Sequence, residues 1–305
     1  MAAALFTEAR FNDDDAAREH LEALRWPQGA VCPHCGGADR QSKLHGEAHR
    51  PGLYFCGHCR QQYTVTVGTV FERSKVPLHK WVLATHLLCS SKKGMSAHQL
   101  HGTLGVTYKT AWFLAHRIRE AMKIEPAGQL GGDGGPVEVD ETLWGNKGKH
   151  KPGARSYHRQ MKVVSLVDRR GEKRSFHVPN VSPKTLRPIL NAHIAAKAQL
   201  MTDEHGTYTK IGKDYAAHYV VNHTAKEYSC GHVATNLVEA SFALLKRGLV
   251  GTFHHVGEQH LQRYVTEFDF RWNTCVALGF DDVARASIAL KNIAGKRLTY
   301  RRTDA

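Results

Sequence analysis

The spacing of apolar positions changes several times along the chain, and each change marks a new kind of element. Residues 12–24 show partial helical spacing behind aspartates that suit a first helical turn. Residues 30–70 break into short β-segments and turns, and residues 77–122 return to the spacing of three successive helices. Residues 126–135 (PAGQLGGDGG) hold five glycines and one proline, which predicts a linker and a domain boundary.

Beyond this linker the pattern is that of strands interleaved with helices. Residues 136–144 predict one strand, and residues 161–178 predict two strands joined by a short turn. A helix with Ser182 as its cap follows, then a strand, a weak helix, another strand and a long helix that begins near residue 232. Three strands followed by strand–helix alternation predict a mixed sheet covered by helices.

Four of the seven cysteines form two C-x2-C pairs, Cys32/Cys35 and Cys56/Cys59, with twenty residues between the pairs. In a reducing compartment such pairs predict zinc ligands rather than disulfides. Four thiolates complete the tetrahedron that zinc prefers, and the short segment between them needs the metal to stabilise its fold. The spacing therefore predicts one structural zinc ion in a zinc ribbon.

The second and third helices of residues 77–122 are joined by a short turn after Gly105. Two helices connected in this way are the arrangement of a helix-turn-helix. The alternative is an ordinary three-helix packing unit with a solvated basic face. Basic side chains of the third helix are candidates for contact with a phosphate backbone, and they are Lys109, His116, Arg117 and Arg119.

The net charge of the chain indicates what kind of molecule it binds. Lys and Arg number 42 against 28 Asp and Glu, a formal net charge of +14. A chain this basic favours a polyanion, with nucleic acid the leading candidate and an anionic membrane surface the alternative. The sequence has no apolar run near the roughly 18 residues that span a bilayer, and no secretion signal. We therefore expect a cytoplasmic protein that binds double-stranded DNA and no membrane.

Three acids lie on separate predicted elements: Asp140 in the first strand, Asp203 after a buried strand, and Glu239 in the last long helix. Phosphodiester chemistry uses two divalent cations about 3.5–4 Å apart, and hard cations such as magnesium prefer oxygen ligands. Two of these acids follow apolar strand residues, where an unpaired carboxylate is destabilising. Their convergence would provide a site for two magnesium or manganese ions.

These residues resemble the DDE transposases, whose catalytic domain has the ribonuclease H-like fold shared with retroviral integrases. In that family the two aspartates lie on the first and fourth strands and the glutamate on a helix after the fifth, positions that Asp140, Asp203 and Glu239 match. The 35 residues between Asp203 and Glu239 are a typical spacing. The phrases VDET, HVATNLVE, LLKRG, TFHHV and HLQRYVTEFDFRWN resemble bacterial insertion-sequence transposases that carry an N-terminal zinc ribbon. The resemblance runs from Trp26 to about Asn273.

The resemblance implies hydrolytic nicking at the ends of a mobile element, then attack of the freed 3′-hydroxyl on target DNA. It also implies two magnesium or manganese ions on the three acids, element ends and target DNA as partners, and a homo-oligomer on DNA at the nucleoid. A nuclease of the same fold without strand transfer is one alternative. A zinc-ribbon and helix-turn-helix transcriptional regulator with an inert C-terminal domain is the other.

Other residues near the three acids are alternative metal ligands or candidate DNA contacts. Glu138 shares the Asp140 side of an alternating strand and is expected to support the site. The other competing glutamates are Glu141, Glu204 and Glu227. Lys246 lies two helical turns after Glu239 on the same face, and in the family a basic residue at this offset approaches terminal DNA. The remaining candidate DNA contacts are Asn236, Arg247, and Lys147 and Lys149 of the basic loop 146–162, with solvated charge as the alternative.

The sequence as a whole thus predicts a multi-domain α+β protein. The expected segments are an N-terminal helix with the zinc ribbon (1–70), a helix-turn-helix DNA-binding segment (71–127), a ribonuclease H-like catalytic domain (128–290) and a basic tail (291–305).

Overall fold

The structure is a computed structural model that describes residues 6–145, 160–221, 229–230 and 233–299. The chain forms two compact units, Met1–Lys123 together with Phe280–Ala305, and Ile124–Gly279. The first unit contains both ends of the chain, and the second is a single continuous segment.

The first unit opens with the predicted N-terminal helix, α1 (Asp14–Arg25), which begins at Asp13 because that side chain accepts the N–H of Ala16. An antiparallel three-stranded sheet follows, as the short β-segments predicted. Its strands are β1 (Gln41–Lys43), β2 (Tyr54–Cys56) and β3 (Gln62–Tyr63). The rings of Trp26, Tyr54 and Tyr63 pack on one another with centroids 5.3–5.8 Å apart and form its small core.

The three predicted helices of residues 77–122 are confirmed. They are α2 (Leu78–Ser90), α3 (Ala97–Leu104) and α4 (Tyr108–Ala121). A capping box of Ser96 and Gln99 begins α3, and Gly105 ends it in the left-handed conformation at φ 59°. Thr107 then caps α4, so only three residues separate the two helices. A short turn with a glycine is what a helix-turn-helix requires, and the assignment of these helices to one stays a prediction.

The last helix, α9 (Asp282–Lys291), belongs to the first unit. The sequence placed residues up to 290 with the catalytic segment, whereas in the structure this helix packs on α2. Its apolar face is buried, and Arg285 donates a 2.8 Å hydrogen bond to the carbonyl of Cys89. Asn292 donates to the carbonyls of Ala121 and Lys123 at 2.6 and 2.8 Å. The predicted domain boundary at residue 290 therefore differs from the observed one, which follows Gly279. Contacts between residues so far apart along the chain produce no pattern in the local sequence.

The second unit is built on a five-stranded mixed sheet, which confirms the predicted fold class. Its strands are β4 (Pro136–Trp144), β5 (Met161–Asp168), β6 (Lys173–Val178), β7 (Gln199–Asp203) and β8 (Ala217–Val221), in the order β6-β5-β4-β7-β8. β4, β5 and β6 pair antiparallel, whereas β7 runs parallel to β4 and β8 runs parallel to β7. β9 (Ser229–Cys230) and β10 (Val233–Ala234) form a separate short pair.

Helices cover both faces of this sheet. The helices are α5 (Pro183–His193), α6 (Gly206–Ile211), α7 (Asn236–Gly248) and α8 (Glu258–Asn273). Val137 and Val139 of β4 pack into a core with α5 and α6, while Val163 and Val167 of β5 pack into a second core with α7 and α8. Two apolar cores separated by one sheet hold the central strands rigidly, as burial on both faces requires.

Side chains of α8 satisfy the outer backbone of the edge strand β6. Asn273 accepts from the N–H of Lys173 at 2.7 Å and donates to its carbonyl at 2.9 Å. Asp269 accepts from the N–H of Ser175 at 2.6 Å, and Gln262 donates to its carbonyl at 3.0 Å. An edge strand otherwise presents unpaired backbone groups to other chains, so these polar side chains close this edge of the sheet.

The glycine-rich segment predicted as a linker is partly packed into the second unit. Leu130 is 1% exposed and belongs to the core beneath α5 and α6. The N–H of Gly131 donates to the carboxylate of Asp168 at 2.9 Å, and its φ is +64°. A Cβ at this position would lie 2.5 Å from the Cβ of Ala198. Here glycine permits close packing rather than flexibility.

Gly131→Ala should therefore lower the free energy of unfolding by about 1–3 kcal/mol, through the strained φ and the contact with Ala198. Gly128→Ala is the matched control, since Gly128 has no atom within 4 Å of its added Cβ. Urea denaturation of both full-length variants measures the difference. Equal unfolding midpoints for the two variants would contradict this account of Gly131.

Candidate functional site

The four paired cysteines converge at one point of the N-terminal unit. Their Sγ atoms all lie within 4.8 Å of one another, with Cys32 and Cys59 3.6 Å apart and Cys35 and Cys56 3.6 Å apart. The residue that directly follows each pair has a positive φ, 74° for Gly36 and 58° for Arg60, and this turns the chain back over the sulfurs. Four soft donors at this spacing fit a single structural zinc ion, as the sequence predicted.

Two of the predicted acids lie on neighbouring parallel strands at the same level. Asp140 is on β4 and Asp203 is the last residue of β7. The register between these strands pairs Glu138 with Met201, and continuing it by two residues sets Asp140 beside Asp203. Adjacent strands are about 4.8 Å apart, so both carboxylates project from the same face as close neighbours.

The third acid comes from the helix above that face. Glu239 lies in the first turn of α7, which packs against β4 and β5. The hydroxyl of Thr235 donates a 2.9 Å hydrogen bond to Glu239 Oε1, and Thr235 itself is fully buried. The sequence did not single out this threonine, although its position one helical turn before Glu239 was an available signal.

The charges of the other acids act on Asp140. Burial raises the pKa of Asp140 to about 7, and the negative charges of Glu141, Asp203 and Glu239 push it in the same direction. The N–H of Glu141, 2.7 Å from Asp140 Oδ1, acts in the opposite sense. A half-buried carboxylate crowded by negative charge is stabilised by a cation.

The donor chemistry of this acidic group differs from that of the cysteines. Among the residues that the structure describes, only the four cysteines bring three or more ligand atoms within 4.8 Å of one another. The carboxylates are spaced more openly and offer only oxygen. An open, all-oxygen set fits hard divalent cations that keep several of their waters. That Asp140, Asp203 and Glu239 act as metal ligands stays a prediction.

The competing glutamates have other partners or positions. Glu138 is 1% exposed and accepts hydrogen bonds from the N-terminal amides of α7. Glu141 accepts a hydrogen bond from the hydroxyl of the buried Tyr208, a residue the sequence did not single out. Glu204 is exposed beside Asp203, and Glu227 lies outside the described residues.

The predicted DNA contacts divide into exposed and buried residues. Lys109 is exposed near the start of α4, and Asn236, Lys246 and Arg247 are exposed on α7. Lys147 and Lys149 lie outside the described residues, as does most of the basic loop that contains them.

Arg117 is a correction to the predicted DNA surface. It is 6% exposed, and its guanidinium donates to the carbonyl of Glu72 at 2.7 Å. The same group lies over the rings of Trp81 and Phe113, 5.2 and 5.5 Å from their centroids. The other basic residues expected on this surface, His116 and Arg119, are 0% and 2% exposed. These three side chains are buried and are not presented to a phosphate backbone.

Comparison with known proteins agrees with this geometry. Residues 130–273 match the family model of the ISXO2-like transposase domain, and residues 12–62 match that of the transposase zinc-ribbon domain. An uncharacterized protein in the transposable element ISH50 of Halobacterium salinarum is 28% identical over 279 residues, covering 86% of this chain and 91% of that protein. These matches indicate a nucleic-acid-processing protein of mobile elements. The chain belongs to the ISXO2-like family of insertion-sequence transposases that carry an N-terminal zinc ribbon.

None of the helices among the described residues combines the length and apolarity needed to cross a bilayer.

The purified protein should contain about one zinc per chain, because the four thiols form one tetrahedral donor set. Cys56→Ser should lose the metal and lower the melting temperature, since this small sheet depends on the metal for its fold. Cys275→Ser is the matched control, because Cys275 is a free cysteine of the other unit. Elemental analysis of the two variants measures their zinc content. Full zinc content in Cys56→Ser would exclude the four-cysteine zinc site.

Proposed function

We propose that this transposase hydrolyses a phosphodiester bond at each end of its element and then joins the freed 3′-hydroxyl to target DNA. The observation that carries the proposal is the grouping of Asp140, Asp203 and Glu239 on one face of the sheet. Three oxygen donors supplied by two strands and a helix suit phosphoryl transfer, which requires positioned charge more than a protein nucleophile.

In the first step a water oxygen attacks phosphorus and the 3′ oxygen of the element end leaves as a hydroxyl. In the second step that hydroxyl attacks a target phosphodiester, and one phosphodiester bond forms as another breaks. The second step needs no outside energy source, and neither step needs a covalent protein–DNA intermediate. When bound, two divalent cations would assist the attacking oxygen and the leaving oxygen. Asp140 and Asp203 would hold them from the sheet and Glu239 from above.

DNA binding is assigned to exposed basic surfaces on each unit. On the first unit, α4 is the second helix of the helix-turn-helix, and its N-terminal turn exposes Tyr108 and Lys109. The start of such a helix enters the major groove between the two phosphate backbones, so Lys109 is assigned to a phosphate contact. On the second unit, Lys246 and Arg247 extend from the helix that carries Glu239. The net charge of +14 supplies the attraction to duplex DNA, and holding two element ends together calls for a homo-oligomer.

The carboxylate-to-amide changes Asp140→Asn, Asp203→Asn and Glu239→Gln should each abolish end cleavage and strand transfer. Each change keeps the shape of the side chain but removes a charge that a hard cation requires. Combining two changes should cost little more than one, because the three residues act as a unit. The measurement is strand-resolved product analysis on a duplex of the element's own ends with magnesium or manganese, together with DNA affinity, which should stay near the wild-type value.

Glu204→Gln is the matched control for this test, because Glu204 is exposed next to Asp203 and should lose little activity. Glu141→Gln is less suitable, since Glu141 is bonded to Tyr208 and lies near Asp203. Cleavage without joining by the wild-type protein would favour a nuclease. Activity retained in all three amide variants, or binding with no cleavage by any protein, would reject the catalytic proposal and leave a regulator.

Lys109→Ala should weaken binding to duplex DNA about uniformly across sequences and reduce the slope of log affinity against log salt by about 1. Lys291→Ala provides the matched control, because it removes an exposed lysine of the same unit from a different helix. Arg117→Ala should instead lower the free energy of unfolding with no change in the salt slope, since Arg117 is buried. Salt titrations of full-length proteins distinguish these effects. If the salt slope is unchanged in Lys109→Ala, or is reduced in Arg117→Ala, the DNA-binding surface does not lie at the start of α4.

A further inference from the structure

A fourth carboxylate lies in the core of the second unit beside the proposed ligands. Glu138 is on β4, two residues before Asp140 and therefore on the same face of the strand. It is 1% exposed, and it belongs to neither the apolar cores nor the proposed ligand set. A buried carboxylate needs partners that replace its water.

Those partners are at the beginning of α7. Glu138 Oε2 accepts hydrogen bonds from the backbone N–H of Leu237 at 2.8 Å and of Val238 at 3.1 Å. The first amides of a helix have no partner within the helix, and the positive end of the helix dipole favours a negative charge there. Hydrogen bonds to an ionised acceptor are stronger than neutral ones. The carboxylate therefore anchors the first turn of α7 to the central strand of the sheet.

A cation holds the other oxygen of the same carboxylate. Arg169, which directly follows β5, places its Nε 3.5 Å from Glu138 Oε1. The guanidinium is part-exposed, and it also donates to the sulfur of Met201 on β7. This contact connects β4 with the end of β5 and with β7, so Glu138 has partners on both of its oxygens.

The chain positions of these contacts make them relevant to the reaction. Leu237 and Val238 directly precede Glu239, and Glu138 is two residues from Asp140. We propose that Glu138 is a positioning residue that sets the distance between Glu239 on the helix and Asp140 on the strand. The proposal rests on the function proposed above, but its structural part does not depend on DNA cleavage. Thr235, bonded to Glu239 Oε1, supports the same arrangement from the helix side.

The test compares Glu138→Gln, which keeps one acceptor oxygen, with Glu138→Leu, which keeps neither. Hydrogen exchange on full-length protein without DNA should be faster at the amides of Leu237 and Val238, and fastest in the leucine variant. Titration with Mn²⁺, followed by the rise in melting temperature, should shift its midpoint by roughly 10- to 100-fold, the usual effect of losing support behind a metal ligand. End cleavage should fall in the same order and recover partly at high Mn²⁺.

Glu267→Gln is the matched control. Glu267 is a fully buried glutamate of the same unit that pairs with Arg271 within α8. The Glu267→Gln substitution should lower the melting temperature but leave the hydrogen exchange of the α7 amides and the Mn²⁺ midpoint unchanged. Arg169→Gln provides a second variant at the part-exposed partner, and it should produce a smaller shift of the same kind if the Glu138 variants fail to fold.

Exchange rates and Mn²⁺ midpoints in both Glu138 variants equal to wild type would overturn the proposal. So would shifts no larger than those of Glu267→Gln, because they would indicate general destabilisation. If wild-type protein cleaves no element end while the exchange and Mn²⁺ shifts occur as expected, the positioning role stands and the transposition chemistry fails.

Discussion

The parallel pairing of β4 with β7 in the middle of the second unit determines where the acidic side chains of that unit can lie. Side chains alternate along β4, so Val137 and Val139 are held in the core beneath α5 and α6 while Glu138 and Asp140 face α7. One strand thus has an apolar face that fixes its position and a polar face that carries the acids of the proposed site. Parallel register then brings Asp203 of β7 to the level of Asp140.

Concentrating carboxylates on one side of a sheet is unfavourable unless their charge is balanced. Glu138 obtains that balance from the amides of α7 and from Arg169. Burial raises the pKa of both carboxyl groups, and that of Asp140 reaches about 7 because its acidic neighbours add to the effect of burial while only the N–H of Glu141 opposes it. This difference agrees with the supporting role proposed for Glu138 and with the cation binding proposed for Asp140.

Local signals in the sequence were enough for much of this architecture. Periodicity and a capping residue such as Ser182 predicted the helices, and the C-x2-C spacing predicted the zinc ribbon. Alternation along 136–144 gave the strand of Asp140 and its polar face. These features depend on residues within about one or two turns of each other, which is the range over which such patterns carry information.

Contacts between distant parts of the chain were not predictable in this way. The burial of Arg117 depends on Glu72 and Trp81, which lie on other elements, and a basic helix residue looks the same whether solvated or stacked. Gly131 resembled a flexible linker residue because the sequence does not show that Ala198 packs against it. The anchoring contacts of Glu138 join residues about a hundred positions apart, although its face of the strand followed from alternation.

The placement of α9 with the N-terminal unit has a consequence for biosynthesis. Val70 donates to the carbonyl of Ile293, and Arg285 donates to the carbonyl of Cys89, so the first unit needs residues that the ribosome adds only after the whole second unit. The second unit consists of one continuous segment that emerges before them. Folding of the second unit therefore requires no residue of α9, whereas the N-terminal unit cannot be completed without it. A transcript truncated ahead of α9 would yield a complete five-stranded sheet attached to an unfinished N-terminal unit.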